Sequence, residues 1–222
     1  MRSFDEILAI AAARKGSTDA VLAGAMRAKP AAELAAIPGD RWLATMARGI
    51  FQAGISWTVV EAKWPGIEEA FAGFDVGRVS MMDDAWFDAL LADTRVIRSG
   101  PKIAAIRDNA AFIRRVDETE GGFARRIADW PTEDYIGLLD WLTKNGSRLG
   151  GNTGAYMLRW MGKESFILSQ DVVARLVAEG VVDAAPKSKK ALQPVQAAFN
   201  QWRAESGRSF NEIGRVLAQS IG

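Results

Sequence analysis

Apolar residues in this chain recur at helical spacing almost from end to end, and no stretch alternates apolar and polar residues like a half-buried strand. The spacing therefore predicts an all-α fold of some ten to twelve helices joined by short loops. Helix starts are marked by Asp83, Thr132 and Ser169, each placed before an amphipathic run, and by Ser209 with Glu212 in a capping-box pattern. Gly16, Gly146, Gly162 and Gly180 stand where the periodicity stops, and Pro30, Pro65, Pro131 and Pro186 are expected to interrupt between segments. Phe199, Trp202, Phe210, Ile213 and Val216 share one face of a terminal helical pair and are expected core anchors.

The 222 residues contain neither Cys nor His, so thiolate nucleophiles, imidazole bases, disulfides and Cys/His zinc sites are all excluded. With 49% hydrophobic and 25% charged residues, the composition is that of an ordinary folded protein. The opening residues lack the apolar core of a secretory signal and no run is long enough to span a membrane. A cytoplasmic monomer without cofactor or metal is the expectation.

Net charge is only +1, but its distribution is uneven. Residues 1–94 hold nine Lys/Arg against thirteen Asp/Glu, leaving nineteen against fourteen for residues 95–222. Between Asp140 and Glu164 there is no acidic residue, while Lys144, Arg148, Arg159 and Lys163 all lie there. Such a local field suits a phosphate backbone, although a solvated basic turn would look the same.

Within that basic stretch, Arg148-Leu149-Gly150-Gly151-Asn152-Thr153-Gly154-Ala155-Tyr156 joins two helical segments. Adjacent glycines allow a tight turn and close approach of a partner, and amides at a helix start can donate to an anion. Eighteen residues beyond Thr153, an apolar run delivers Asp171 to the next helix start, where the helix dipole favours the carboxylate. A plain first-turn aspartate is the competing reading.

Glycine turn and aspartate together resemble the helix-hairpin-helix DNA glycosylase superfamily, with Leu149-Gly150-Gly151 in place of the usual Leu-Pro-Gly-x-Gly. A second resemblance points to one branch, DNA-3-methyladenine glycosylase I: Gln52-Ala53-Gly54-Ile55-Ser56-Trp57 is similar to that family's Gln-Ala-Gly-Leu-Ser-Trp. Similarity continues through Val60, Lys63, Ala70-Phe71, Phe74-Asp75, Ile97-Arg98, Lys102-Ile103 and Asn109-Ala110, then more weakly from Lys144 to Val173. The resemblance implies one glycosylase-like unit over residues 1–222, formed of two helical lobes around a cleft, with the hairpin at about 144–163.

It also implies roles. Trp57 would be an aromatic wall of a base pocket, with Gln52 and Gly49 beside it, because a flat indole restores part of the stacking that a flipped purine loses. Gly54 and Ile55 would form the wedge that fills the vacated place in the duplex. Lys144, Arg148, Gly150, Gly151 and Thr153 would hold the DNA backbone, with Arg98 and Lys102 as auxiliary contacts. Asp171 would be the catalytic aspartate, and the partner double-stranded DNA carrying a damaged base.

Two departures accompany the resemblance. Gly49 stands where that branch carries a pocket glutamate, and the branch's zinc-binding Cys and His are missing, Asp171 itself falling where one zinc ligand would lie. The implied activity is monofunctional hydrolysis of the N-glycosidic bond of alkylated purines such as 3-methyladenine. A non-catalytic module that binds damaged DNA, and a helical protein-interaction domain, are the alternatives.

Overall fold

The computed structural model describes residues 1–222 and is all helical, without a strand. Fourteen α-helices follow in order: α1 (Phe4–Lys15), α2 (Thr18–Leu22), α3 (Ala31–Ala35), α4 (Gly39–Gln52), α5 (Trp57–Ala70), α6 (Val76–Ser80) and α7 (Asp84–Ala92). Then come α8 (Gly100–Thr119), α9 (Phe123–Asp129), α10 (Tyr135–Asn145), α11 (Asn152–Met161), α12 (Gln170–Ala178), α13 (Lys189–Ser206) and α14 (Phe210–Gln219). Short 3-10 turns cover Ala72–Phe74 and Thr132–Asp134. The count exceeds the expected ten to twelve because α2, α3 and α6 are five-residue helices, too short to show a period in sequence.

Local signals act mostly as anticipated. Asp83 and Ser169 cap α7 and α12 by accepting from Trp86 N and Val172 N, and Ser209 with Glu212 closes the capping box of α14. Gly16 ends α1 in the left-handed conformation at φ 93°. Thr132 instead begins the 3-10 turn that leads into α10. Pro65 does not separate two segments but lies inside α5. It is exposed, so the carbonyl of Glu61, deprived of its amide partner, can turn to water.

Two compact units arise. One comprises residues 1–29, 130–140 and 162–222. There α1 packs against α2, α13 and α14, and α12 against α14. Its core is aromatic: Phe166 stacks on Phe199 at 4.4 Å, and Phe210 and Trp202 close on Phe199 edge-on. The terminal anchors expected from periodicity, Phe199, Trp202, Phe210, Ile213 and Val216, are all fully buried here.

Residues 30–129 and 141–161 form the other unit, in which α4 packs on α8 and α11 and buries Trp42, Met46, Ile50 and Phe51. Phe51, Phe71, Phe74 and Trp64 continue this core as a chain of ring contacts between 5.2 and 6.1 Å. No helix of the chain is long and apolar enough to cross a membrane.

Candidate functional site

The turn after α4 is built by its own sequence. Gly54 takes φ +75°, a conformation that glycine adopts without strain, and Ile55 N donates to Gln52 O at 3.2 Å. The chain then starts α5 at Trp57, whose side chain is 66% exposed. An indole left this open forgoes the burial that large aromatics ordinarily gain. A place in the core is thereby excluded for Trp57. Ile55 is half-buried at the turn.

Gln52 is held by a polar cluster on α4 and α5. Its Nε2 donates to Glu61 Oε1 at 3.1 Å, and Arg48 approaches the same oxygen at 3.5 Å while its guanidinium lies 4.3 Å from the Trp64 ring centre. Gly49 is buried where α4 meets α11. A Cβ there would lie 3.2 Å from Thr153 Cγ2 and 3.7 Å from Trp160 Cζ3. A glutamate at this position would thus start against α11, so the departure at Gly49 is matched by its packing. Trp160 in turn lies 5.6 Å from Tyr156, and both rings are partly exposed.

The glycine-rich turn between α10 and α11 belongs to the same unit. Gly146 leaves room that a Cβ would fill, only 2.5 Å from Leu149 Cδ1 and 3.1 Å from Asn109 Oδ1. Arg148 adopts φ +58° and Gly151 φ +59°. Gly154 sits so close to Leu149 O that a Cβ would come within 2.4 Å of it. Lys144, Arg148 and Gly151 are exposed, and Gly150 and Thr153 half-buried. Asn109, matched in sequence but given no role there, is wholly buried on α8: its Nδ2 donates to Ser147 O at 2.9 Å and its Oδ1 accepts from Ser147 N at 2.8 Å.

Arg98 is exposed just before α8. Lys102 is committed otherwise: its Nζ donates to Phe51 O at 2.9 Å and Ala53 O at 2.7 Å. Burial, with the nearby Arg148 charge adding to it, lowers the ammonium pKa below the ordinary lysine value. Asp171 lies in the first turn of α12, exposed, behind the Ser169 cap and within the other compact unit. The zinc of the resembling branch has no ligands here: Cys and His are lacking, and no three acidic side chains gather where they could hold a metal ion.

Residues 41–136 match the family model described as methyladenine glycosylase. That span includes Gly49, the Gln52–Trp57 motif, Lys102 and Asn109, but neither the glycine hairpin nor Asp171. Among solved structures, the chain is similar to a tyrosine-to-phenylalanine variant of 3-methyladenine DNA glycosylase I in complex with 3-methyladenine. Identity is 20% over 62% of this chain and 81% of that one, with a TM-score of 0.52. It is also similar to the Staphylococcus aureus enzyme of the same name, at 19% identity over 62% and 80% of the two chains and a TM-score of 0.51. No curated protein matches it. Residues 41–136 thus match the methyladenine glycosylase family model, and the chain shares the all-helical fold of 3-methyladenine DNA glycosylase I.

Proposed function

We propose that the protein is a base-excision DNA glycosylase that releases alkylated purines of the 3-methyladenine type. The observation that carries the reading is the family's Gln-Ala-Gly-x-Ser-Trp motif, held on a glycine turn with its tryptophan 66% exposed, in the same compact unit as a basic glycine hairpin. An enzyme that acts on a base inside a duplex must extrude it, and an open indole can take over its stacking. In this reading Ile55 and Gly54 fill the vacated place, with Gln52 and Gly49 near the base. Arg148, Lys144, Gly150, Gly151 and Thr153 hold the phosphates, and Arg98 adds charge.

Alkylation at a ring nitrogen leaves the base positively charged while bound to the sugar. When the C1′–N bond breaks, the base departs neutral with the bonding pair, and positive charge develops on the deoxyribose. Asp171 as carboxylate stabilises that charge and accepts a proton from the water whose oxygen bonds to C1′.

The test is release of 3-methyladenine from methylated duplex DNA under single-turnover conditions. Wild type is expected to release it, and Asp171→Asn to be slower by about 100-fold or more. Undiminished release by Asp171→Asn would remove Asp171 from the chemistry. The second reading, a damage-binding protein without catalysis, is favoured by Gly49 packed against Thr153 and Trp160. Tight binding of damaged duplex with no release by wild type would establish it.

A further inference from the structure

Helix α8 carries Lys102 and Asn109 seven residues apart, hence on one face and about 10 Å apart along the axis. Each is fastened to a different turn. The Lys102 ammonium takes the carbonyls of Phe51 and Ala53, at the end of α4, where unpaired carbonyls and the negative pole of the helix dipole favour a cation. The Asn109 amide donates to and accepts from the main chain of Ser147, pairing with it as a neighbouring strand would. Beyond Ser147, Arg148 is held at φ +58°, a conformation that costs a residue with a side chain on the order of 1 kcal/mol when unsupported.

We propose that this face of α8 is a strut that sets the distance between the Gly54–Ile55 turn and the Arg148 hairpin, with Lys102 and Asn109 as positioning residues at its two ends. The inference rests on the DNA-glycosylase reading, in which those turns are the wedge and the phosphate grip. A wedge enters the duplex at a fixed place relative to the phosphates, so an error in their spacing costs affinity even when each turn is individually intact. Lys102 therefore does not act as a phosphate ligand. Its donors are directed at carbonyls, and its charge fixes the wedge turn.

Salt dependence and coupling distinguish a strut from two purely local supports. Affinity is measured for a duplex containing a tetrahydrofuran abasic analogue, with wild type, Lys102→Met, Asn109→Leu and the double variant, at several salt concentrations. Circular dichroism and thermal unfolding establish that each is folded, and Asn109→Asp replaces Asn109→Leu if the latter is not. Each single variant is expected to weaken binding about tenfold, in line with loss of two buried or charge-assisted hydrogen bonds. Lys102→Met should leave the slope of log K against log salt unchanged, whereas removing a phosphate contact lowers it by about 0.9. The double variant should lose little more than either single, because a strut released at one end no longer sets a distance.

A reduced slope for Lys102→Met would reassign it to phosphate. Additive losses would make the two residues independent supports, and unchanged affinity in both singles would leave the strut without function. Each of these overturns the proposal while wild-type binding keeps the DNA reading intact. Failure of wild type to bind the duplex overturns both.

Discussion

At the scale of single residues, Trp57 and Gly49 show function and stability pulling apart. Trp57 is exposed, so Trp57→Ala should shift unfolding by no more than about 0.5 kcal/mol. Loss of a stacked base costs about 1–3 kcal/mol, so the same change should weaken binding to flipped-base DNA by roughly 5-fold to 150-fold. Urea denaturation beside affinity for a duplex carrying a hydrolysis-resistant 3-deaza-3-methyladenine nucleotide, which keeps the base, checks both halves. Gly49→Glu should do the reverse. Its Cβ begins 3.2 Å from Thr153 Cγ2, and overpacking of this kind costs about 1–3 kcal/mol, read as a lower urea midpoint with no gain in base release. The sequence holds eight tryptophans, and Trp42 and Trp202, on helices as Trp57 is, are wholly buried. Periodicity cannot tell such positions from Trp57. The family motif singled it out, and only the fold showed it open. Likewise the glycine at position 49 was legible, but not that Thr153 and Trp160 from α11 meet it, because that contact spans a hundred residues of chain.

At the scale of elements, the α10–α11 hairpin divides its glycines by the reason for each. Gly154 is required by packing, since a Cβ would lie 2.4 Å from the main-chain oxygen of Leu149, which cannot move aside as a side-chain end could. Gly151 is required only by its φ of +59°, with nothing within 4 Å of the added atom. Gly154→Ala is therefore expected to destabilise by about 3 kcal/mol and to disturb the hairpin, and Gly151→Ala by about 1 kcal/mol, a ranking that equilibrium urea unfolding tests. The run of glycines was visible in sequence and its place between helices followed from it. Asn109 was matched without a role because a buried amide bonded to main chain thirty-eight residues away leaves no local pattern. Lys102 likewise carries no local sign that its donors reach the carbonyls of Phe51 and Ala53, 51 and 49 residues away. Caps fared better, since Ser209 with Glu212 and Ser169 act within one turn, where spacing alone decides the geometry. Pro65 misled because an exposed proline can stay within a helix when its orphaned carbonyl reaches water.

At the scale of the molecule, the unit made of residues 1–29, 130–140 and 162–222 is fastened by one buried carboxylate. Glu179 accepts from Arg2 N at 2.7 Å, from the Arg2 guanidinium at 2.8 Å and from Arg175 at 3.1 Å, while Arg175 also donates to Ser220 Oγ and Ser220 O. Burial pushes the Glu179 carboxyl up, but the bonds from Arg2 and Arg175 outweigh it and hold its pKa below the ordinary glutamate value. A group depressed in the folded state contributes stability that is present above its unfolded pKa of about 4.3 and lost as pH falls through the folded value. Urea unfolding of wild type should therefore weaken below about pH 5. Glu179→Gln should be less stable at pH 7 and show a flatter acid decline. The same unit is discontinuous: α1 buries Phe4, Ile7 and Ala11 and packs against α14, two hundred residues later. During synthesis that apolar stripe emerges some two hundred residues before α14, whereas in the unit of residues 30–129 and 141–161 α4 waits only about a hundred for α11. The nascent α1 thus leaves its apolar stripe open to a chaperone while the residues between it and α14 are still being made.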